Sequence, residues 1–550
     1  MIFFHILIFF LSIILVSVSI SGYGRLIKLR LQNNFFLDIF LGLVVISFII
    51  TVIHLFFKID LIISFFIFLS GLILFFKRKN SYFSISFLKK NIFYLSVILL
   101  FIPMFLSQKY HEDFGYYHLP YALGFIEEKI VFGYANIEQA YVYNSIWFNL
   151  YSIFFLDEKN FDFLTLPSYL LFLSFILFSI HQIISKKEIL ISDYYLTPIL
   201  FYFILKFTRI SEFGADLPST IFFILGMYYF LKFSETKFNE DKKIYFFLLV
   251  IFSSFTILIK LSALPIVLLP LYVFFKNFKD LKFSILSLKY LFVFLLFATF
   301  FVQQYIYTGC LLFPTKLTCF DVSWFNPEYL RLSDTIELIN KSYYQEANKI
   351  YSPEEYLSNF NWLYFWFKRN AIEIIEHFLT IIIPSLIFLL FLKKENKSNI
   401  DFKEKFALYF FLFLNIIFWL NFSPVYRFAI HLFATLIFVI ISGIFLYKKF
   451  SKKIFIIFLS IFIFFNFSKN IVRLNEVENI YLGIQKINNK YILNKTISNE
   501  FVMVFYPDIE KNSQNGWQGR LCWNTPFICS YNNMRIYKKN GYLIINKIKN

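Results

Sequence analysis

The segment His111-Glu112-Asp113-Phe114-Gly115-Tyr116-Tyr117-His118-Leu119-Pro120 directly follows an apolar run from about Asn91 to Ser107. Carboxylates and imidazoles at the end of a membrane span stay solvated and can meet a membrane-bound substrate. Asp113 is suited to take a proton from a hydroxyl, an effect worth roughly 10²–10⁴-fold when the base is well placed. His111, Glu112 and His118 are its neighbours. Read alone, Glu112 and Asp113 are equally well explained as solvated loop residues, and His118 before Leu-Pro as a packed interface residue. A second acidic segment, Arg209-Ile-Ser-Glu-Phe-Gly-Ala-Asp-Leu-Pro-Ser219, carries Glu212 and Asp216. Pro218 favours a helix start there, which leaves Asp216 near the positive helix end as either a ligand or a cap. Two acidic loops on one membrane face predict one shared site.

Two basic residues complement them. Lys260, in Ile257-Leu-Ile-Lys-Leu-Ser-Ala-Leu-Pro265, interrupts an apolar stretch. A lysine at membrane depth costs roughly 2.5–3.5 kcal/mol unless it finds a partner or snorkels to the interface. Arg427, in Asn421-Phe-Ser-Pro-Val-Tyr-Arg-Phe428, sits at another turn, where it marks a span end or offers a guanidinium fork to a phosphate.

The elements that position these residues follow from composition. A 550-residue chain that is 59% hydrophobic and only 16% charged, with a mean hydropathy of +0.64, exceeds what a soluble core can hide. The fold class is mainly α, a polytopic integral membrane protein. The formal charge of +18 resides in short Lys/Arg clusters between apolar spans, a positive-inside pattern that argues against nucleic acid as a partner. Arg25, Lys28 and Arg30, then Lys77, Arg78, Lys79, Lys89 and Lys90, then Lys186 and Lys187 mark cytoplasmic turns. Lys237, Lys242 and Lys243, Lys276, Lys279 and Lys282, Lys393, Lys394 and Lys397, and Lys448, Lys449, Lys452 and Lys453 continue the series. About fourteen spans of roughly 20 residues satisfy every cluster. Met1 to Ile20 has no basic n-region and no small-residue cleavage site, as expected of a retained first span.

This topology divides the chain into a membrane body over 1–468 and a small outward α/β tail over 469–550. The body carries an outward loop at 108–163 and an outward insertion at 307–370. Within the loop, Tyr141 to Leu156 is expected to lie along the interface as an amphipathic helix, since a crossing would force Lys186 and Lys187 outside. The tail shows a helix-like stretch at Val472 to Lys490 and strand-like runs at Phe501 to Tyr506 and Tyr542 to Ile548. All four cysteines fall on outward segments as two local pairs, Cys310 with Cys319 and Cys522 with Cys529. Of three possible connectivities, the local one closes small loops without crossing the membrane.

Asp113 followed by Tyr117-His118-Leu119-Pro120 resembles the first outward loop of bacterial GT-C glycosyltransferases, which reads Asp, three residues, then Tyr-His-Leu-Pro. Gly214-Ala-Asp-Leu-Pro218, Lys260-Leu-Ser-Ala263, Gly309-Cys-Leu-Leu-Phe-Pro314 with Cys319, Pro424 to Phe428, and Cys522-Trp523 with Cys529 are similar to a less characterised branch of that superfamily. The resemblance implies a GT-C-like helical bundle in the bacterial cytoplasmic membrane, with its site on the outer face. It implies inverting transfer from a polyprenyl-phosphate-linked sugar donor to a cell-envelope glycan or lipid acceptor. Asp113 is then the general base, and Lys260 and Arg427 stabilise the donor phosphate. Glu112, His118, Glu212 and Asp216 orient the acceptor or a divalent cation, Mg or Mn. The chain departs from the pattern at Tyr121, where the better-known branch commonly has Arg. A flippase or transporter of lipid-linked saccharides and a non-catalytic GT-C-like envelope scaffold are the competing readings.

Overall fold

Apolar runs of this length can hide their backbone polar groups in a bilayer only by satisfying them internally, and helices do so. The computed structural model describes residues 2–27, 34–77, 85–106, 113–155, 163–186, 188–206, 214–237, 239–394, 404–445, 448–475, 495–498, 503–506, 522, 525–530, 532 and 534–547. Its first half contains α1 (Ile2–Gly24), α2 (Phe35–His54), α3 (Leu61–Lys77), α4 (Ile85–Leu106), α5 (Leu119–Glu127), α6 (Ile146–Asn149), α7 (Leu166–Ser185), α8 (Ile191–Leu205), α9 (Asp216–Glu235) and α10 (Asn239–Ile259). Then come α11 (Leu268–Lys276), α12 (Phe278–Leu281), α13 (Leu288–Thr308), α14 (Leu332–Asn340), α15 (Pro353–Leu357), α16 (Trp362–Phe391), α17 (Lys405–Phe422), α18 (Ile430–Phe445) and α19 (Lys452–Asn475). Among the described residues strands form three two-stranded antiparallel pairs: β1 (Lys393–Lys394) with β2 (Lys448–Lys449), β3 (Lys495–Ser498) with β4 (Met503–Tyr506), and β5 (Met534–Lys539) with β6 (Tyr542–Lys547).

The protein is thus mainly helical. Among the described residues eight helices are long and apolar enough to cross a membrane, against the fourteen spans expected. A pair at Leu261–Lys276 and Phe278–Leu286, bent by 94°, is long and apolar enough only when taken together, and five further apolar helices are shorter. Helices α1 to α3 pack through small residues. A Cβ on Gly42 would lie 2.0 Å from the carbonyl of Ile20, and one on Gly22 equally close to that of Gly71, so these backbones touch only because no side chain intervenes. Large apolar side chains such as Phe65, Phe66, Phe294, Leu390 and Phe464 stay exposed on the bundle surface, where lipid would cover them.

The bundle has two chemically different ends. At one, Arg25 reaches Asp38 at 3.3 Å and the Phe75 carbonyl at 2.9 Å, and buried Asp193 pairs with Lys186 and, at 3.8 Å, with Lys232. Lys452 donates to the carbonyls of Ile184 and Lys186, and the β1 and β2 lysines pair across a short ladder. These are members of the basic clusters expected to share a face.

At the other end, the segment between α4 and α7, the insertion between α13 and α16, and the tail come together. The tail continues this layer by backbone pairing: Phe132 N–H donates to Leu543 O at 3.0 Å, and Ile545 N–H to Phe132 O at 2.9 Å. Asn136, buried, donates from one amide nitrogen to Trp324 O at 2.9 Å and to Ile545 O at 2.8 Å, joining loop, insertion and tail. Ser530 Oγ donates to Ile137 O at 2.7 Å. Cys310–Cys319 and Cys522–Cys529 are both disulfide-bonded, in the local pattern expected.

Local structure departs from expectation in one segment. Over its described part, Tyr141 to Phe155, the segment expected as one amphipathic helix is not one. It is a chain of short turns, Gln139–Val142, α6 and Leu150–Phe154, buried against the bundle. Asn149 explains the break, because its side chain bonds to Thr51 at 2.7 Å and to Gln303 at 3.1 Å, which draws the segment inward. The polar residues Lys368, Arg369 and Asn370, at the expected end of the insertion, lie in the first turns of the 30-residue α16, which begins at Trp362. Helix α19 runs past residue 468 to Asn475. Residues 476–490 of the helix-like tail stretch lie outside the described residues.

Replacing Asn136 by Ala removes the donor shared by two buried carbonyls, a loss of about 1–3 kcal/mol. Thermal unfolding in detergent should fall, and limited proteolysis should cut first at the tail hairpin β5–β6; an unchanged digestion pattern would mean the tail is held by other contacts.

Candidate active site

Asp216 is the first residue of α9, following Ala215 at the cap position, so its carboxylate sits beside the unpaired N–H groups of the first turn. Lys260 occupies the break after α10 with an extended backbone (φ −154°, ψ 116°), followed by the 3₁₀ turn Leu261–Val267. Arg427 lies in the 3₁₀ turn Tyr426–Phe428 between α17 and α18. Two tryptophans pin that turn: Trp366 donates to Pro424 O, and Trp419 to Val425 O at 3.0 Å.

The three ionic groups meet. Lys260 Nζ pairs with Asp216 Oδ1, and Arg427 Nε lies 3.3 Å from Asp216 Oδ2. Lys260 also sits over the Phe428 ring, 3.0 Å from its centroid, a cation–π contact. Burial lowers the Lys260 ammonium to about 8, opposed by Asp216, while Arg427 pushes it further down and Asp113 pulls it up. One carboxylate therefore holds two cations side by side, which makes a corner of net positive charge.

Asp113 precedes a π turn over Phe114–His118, closed by a Leu119 N–H to Phe114 O bond, and Pro120 follows within the first turn of α5. Single π turns are frequent at functional sites. Tyr117 belongs to the same corner. Burial, then Asp113 and then Asp216, push its hydroxyl well above the usual range, with Arg427 acting the other way. His118 is buried, with its ring 5.0 Å from that of Phe148.

Asp113, His118, Asp216, Lys260 and Arg427 line one cavity of about 940 Å³. The sequence-predicted base, the second acidic segment and both predicted cations are thus brought to one place. Glu112 and Glu212, with His111, lie outside the described residues. Among the described residues no three His, Cys, Asp or Glu side chains come together as a metal ligand set. Asp216, flanked by two cations, is a poor partner for a divalent ion.

Tyr121, at the departure from the GT-C loop pattern, faces away from this chemistry. Its hydroxyl bonds to Asn149 at 2.9 Å and Asn144 at 3.2 Å, and lies 3.3 Å from that of Tyr307. Gln303 closes the network by accepting from Asn144 at 3.0 Å. Asn144 itself lines the cavity, so Tyr121 positions the cavity wall from behind.

The sequence reading missed other lining residues: Lys206, Glu373, Glu376 and His377, together with Ser333, Asp334, Glu337 and Asn340 on α14. Glu376 pairs with Lys206, and Tyr202 Oη bonds to His377 Nδ1 at 2.7 Å. The signal was the spacing Glu373, Glu376, His377, which places all three on one helical face.

A family model described as "Domain of unknown function (DUF8201)" matches residues 1–434. The chain belongs to that family. The matched region contains Asp113, Asp216, Lys260 and Arg427 and ends within α18, so the tail lies beyond it. Comparison with curated proteins and with solved structures found no match.

Removing one partner of a buried ion pair typically costs about 3–5 kcal/mol, and partial exposure of this cluster reduces that to about 1–3 kcal/mol. Asp216→Asn and Lys260→Met should each lower thermal stability, and the double variant should cost less than the two singles added. Additive losses would show that the two groups are not energetically coupled.

Proposed function

We propose that this protein is an integral membrane glycosyltransferase that moves a sugar from a polyprenyl-phosphate-linked donor to a cell-envelope glycan or lipid acceptor, with inversion. The observation that carries this reading is the meeting of Asp113, Asp216, Lys260 and Arg427, from four separate stretches of chain, in one cavity. A base beside a doubly cationic corner suits attack by a hydroxyl on a sugar whose leaving group is a phosphate. Asp113 takes the acceptor proton as the acceptor oxygen bonds to the anomeric carbon. The bond from that carbon to the phosphate oxygen breaks, and the departing phosphate keeps the electron pair. Lys260 and Arg427 balance the growing negative charge from positions fixed in advance by Asp216, which spares reorganisation during reaction. A phosphate leaves without needing a proton, so cations matter more here than an acid.

The architecture we propose is a GT-C-like bundle in the bacterial cytoplasmic membrane, with cavity and tail on the outer face. The eight long helices, the bent pair and the five shorter apolar helices would together supply fourteen spans. The gathering of Arg25, Lys186, Lys448 and Lys452 at the end opposite the cavity supports this orientation.

Membranes containing the protein should transfer labelled sugar from native polyprenyl-phosphate donors. Asp113→Asn, at equal folded amount, should lose roughly 10²-fold or more of that rate. If instead lipid-linked sugar crosses the bilayer with no transfer by either form, the protein is a transporter. Transfer should also decline as pH rises through about 8, where Lys260 loses its proton, and Lys260→Arg should carry activity to higher pH. A flat profile up to pH 9.5 would remove Lys260 from the phosphate site.

A further inference from the structure

Beside the candidate base lies a buried acid that the chemistry above does not use. Asp113 stands directly before the π turn Phe114–His118, and Tyr116, the middle residue of that turn, donates its hydroxyl to Glu138 Oε1. A second tie joins the same two stretches, from Tyr141 Oη to Tyr117 O at 3.4 Å. Glu138 immediately precedes the 3₁₀ turn Gln139–Val142, and Ala140, Tyr143, Asn144 and Phe148, which follow it, line the cavity. The two ties therefore fasten the turn that begins at Asp113 to the cavity wall built by the rest of the first loop.

A purely structural tie has no need of a charge. Glu138 is 5% exposed and pairs with no cation among the described residues. Burial pushes its carboxyl up to about 7, with the Tyr116 bond acting the other way. From the insertion, Tyr329 faces it, and burial and then Glu138 push that hydroxyl above the usual range; the neighbouring Glu328 is paired with Lys547 at 2.9 Å. A buried carboxylate without a counter-ion costs stability that an amide of the same shape does not. That cost grows as pH rises from the ordinary carboxylate range to about 7, and above this it is fully present. In return the carboxylate takes a charge-assisted bond, roughly twice as strong as a neutral one. Because the bond favours the ionised form, Tyr116 is held most firmly when Glu138 is charged.

We propose that Glu138 is a positioning residue, which grips the π turn through Tyr116 and so holds Asp113 where it can meet the acceptor hydroxyl. The proposal rests on the glycosyl-transfer reading. Misplacing a reacting group by about 1 Å can cost roughly 10²-fold in rate. The cationic corner is built by other segments, so loosening this turn changes the rate of transfer and leaves donor binding as it is.

The test compares the full chain with Glu138→Gln, Tyr116→Phe and the double variant in nanodiscs at equal folded amount. At about pH 8 each single variant should lose roughly tenfold or more in kcat, with KM for the donor changed by less than about twofold. The double variant should lose no more than the larger single loss, since both changes remove one bond. Glu138→Gln should also unfold at an equal or higher temperature at about pH 8, and should lack the fall in kcat that the unchanged protein shows as pH drops through about 7. Amide hydrogen exchange over residues 114–119 should be roughly tenfold faster in both single variants, with exchange in α9 unchanged. Full kcat in Glu138→Gln, additive losses, or exchange over 114–119 equal to that of the unchanged protein would overturn the proposal. So would a lower unfolding temperature with faster exchange throughout the bundle, which marks a merely structural acid. No transfer by any form would overturn the transferase reading instead, and the exchange measurement then decides by itself whether Glu138 grips the turn.

Discussion

The Asp216 carboxylate ties together three places where the chain leaves a helix: the start of α9, the break after α10 and the turn before α18. Without it, Lys260 and Arg427 would be two like charges pressed together in a partly desolvated corner. With it, they are held at fixed separation and still carry net positive charge. Ion clusters of this kind seldom add stability over an apolar substitute, and their clearest use is to fix geometry. That use fits the proposed transfer, in which the cations have to be in position before negative charge develops on a leaving group.

The remaining architecture supports that corner at one remove. Trp366 and Trp419 hold the Arg427 turn, and the π turn after Asp113 places Tyr117 and His118 against the same cavity. Behind the loop, the buried network of Tyr121, Asn144, Asn149 and Gln303 substitutes side-chain hydrogen bonds for regular helix. Asn136 then carries the loop's position outward to the insertion and the tail. The cavity is therefore a composite of distant segments, and its shape depends on contacts made well outside it.

Local signals in the sequence served well where the physics is local. Pro218 and Asp216 announced a helix start, Lys260 in an apolar run announced a break with a partner, and closely spaced cysteines announced their own pairing. A shared site for Asp216, Lys260 and Arg427 was expected, but not their pairing with one another, because an ion cluster across three segments leaves no periodic trace. Glu373, Glu376 and His377 did leave one, a shared helix face. Tyr141 to Leu156 misled because its apolar content reads as a helix, whereas Asn149 uses its amide to pull the segment into the bundle. Lys368 to Asn370 look like loop residues, yet α16 begins before them at Trp362 and includes them.

The central claim is that Lys260 and Arg427, held by Asp216, form a phosphate site. Equilibrium binding of a polyprenyl phosphate and of the matching uncharged polyprenol to the purified protein in neutral-lipid nanodiscs tests it most directly, with Lys260→Ala and Arg427→Ala compared at equal folded fraction. The unchanged protein should prefer the phosphate by roughly a hundredfold, as two charge-assisted contacts would supply, and each variant should lose most of that preference. Equal affinity for the two lipids, or a preference that survives both substitutions, would contradict it.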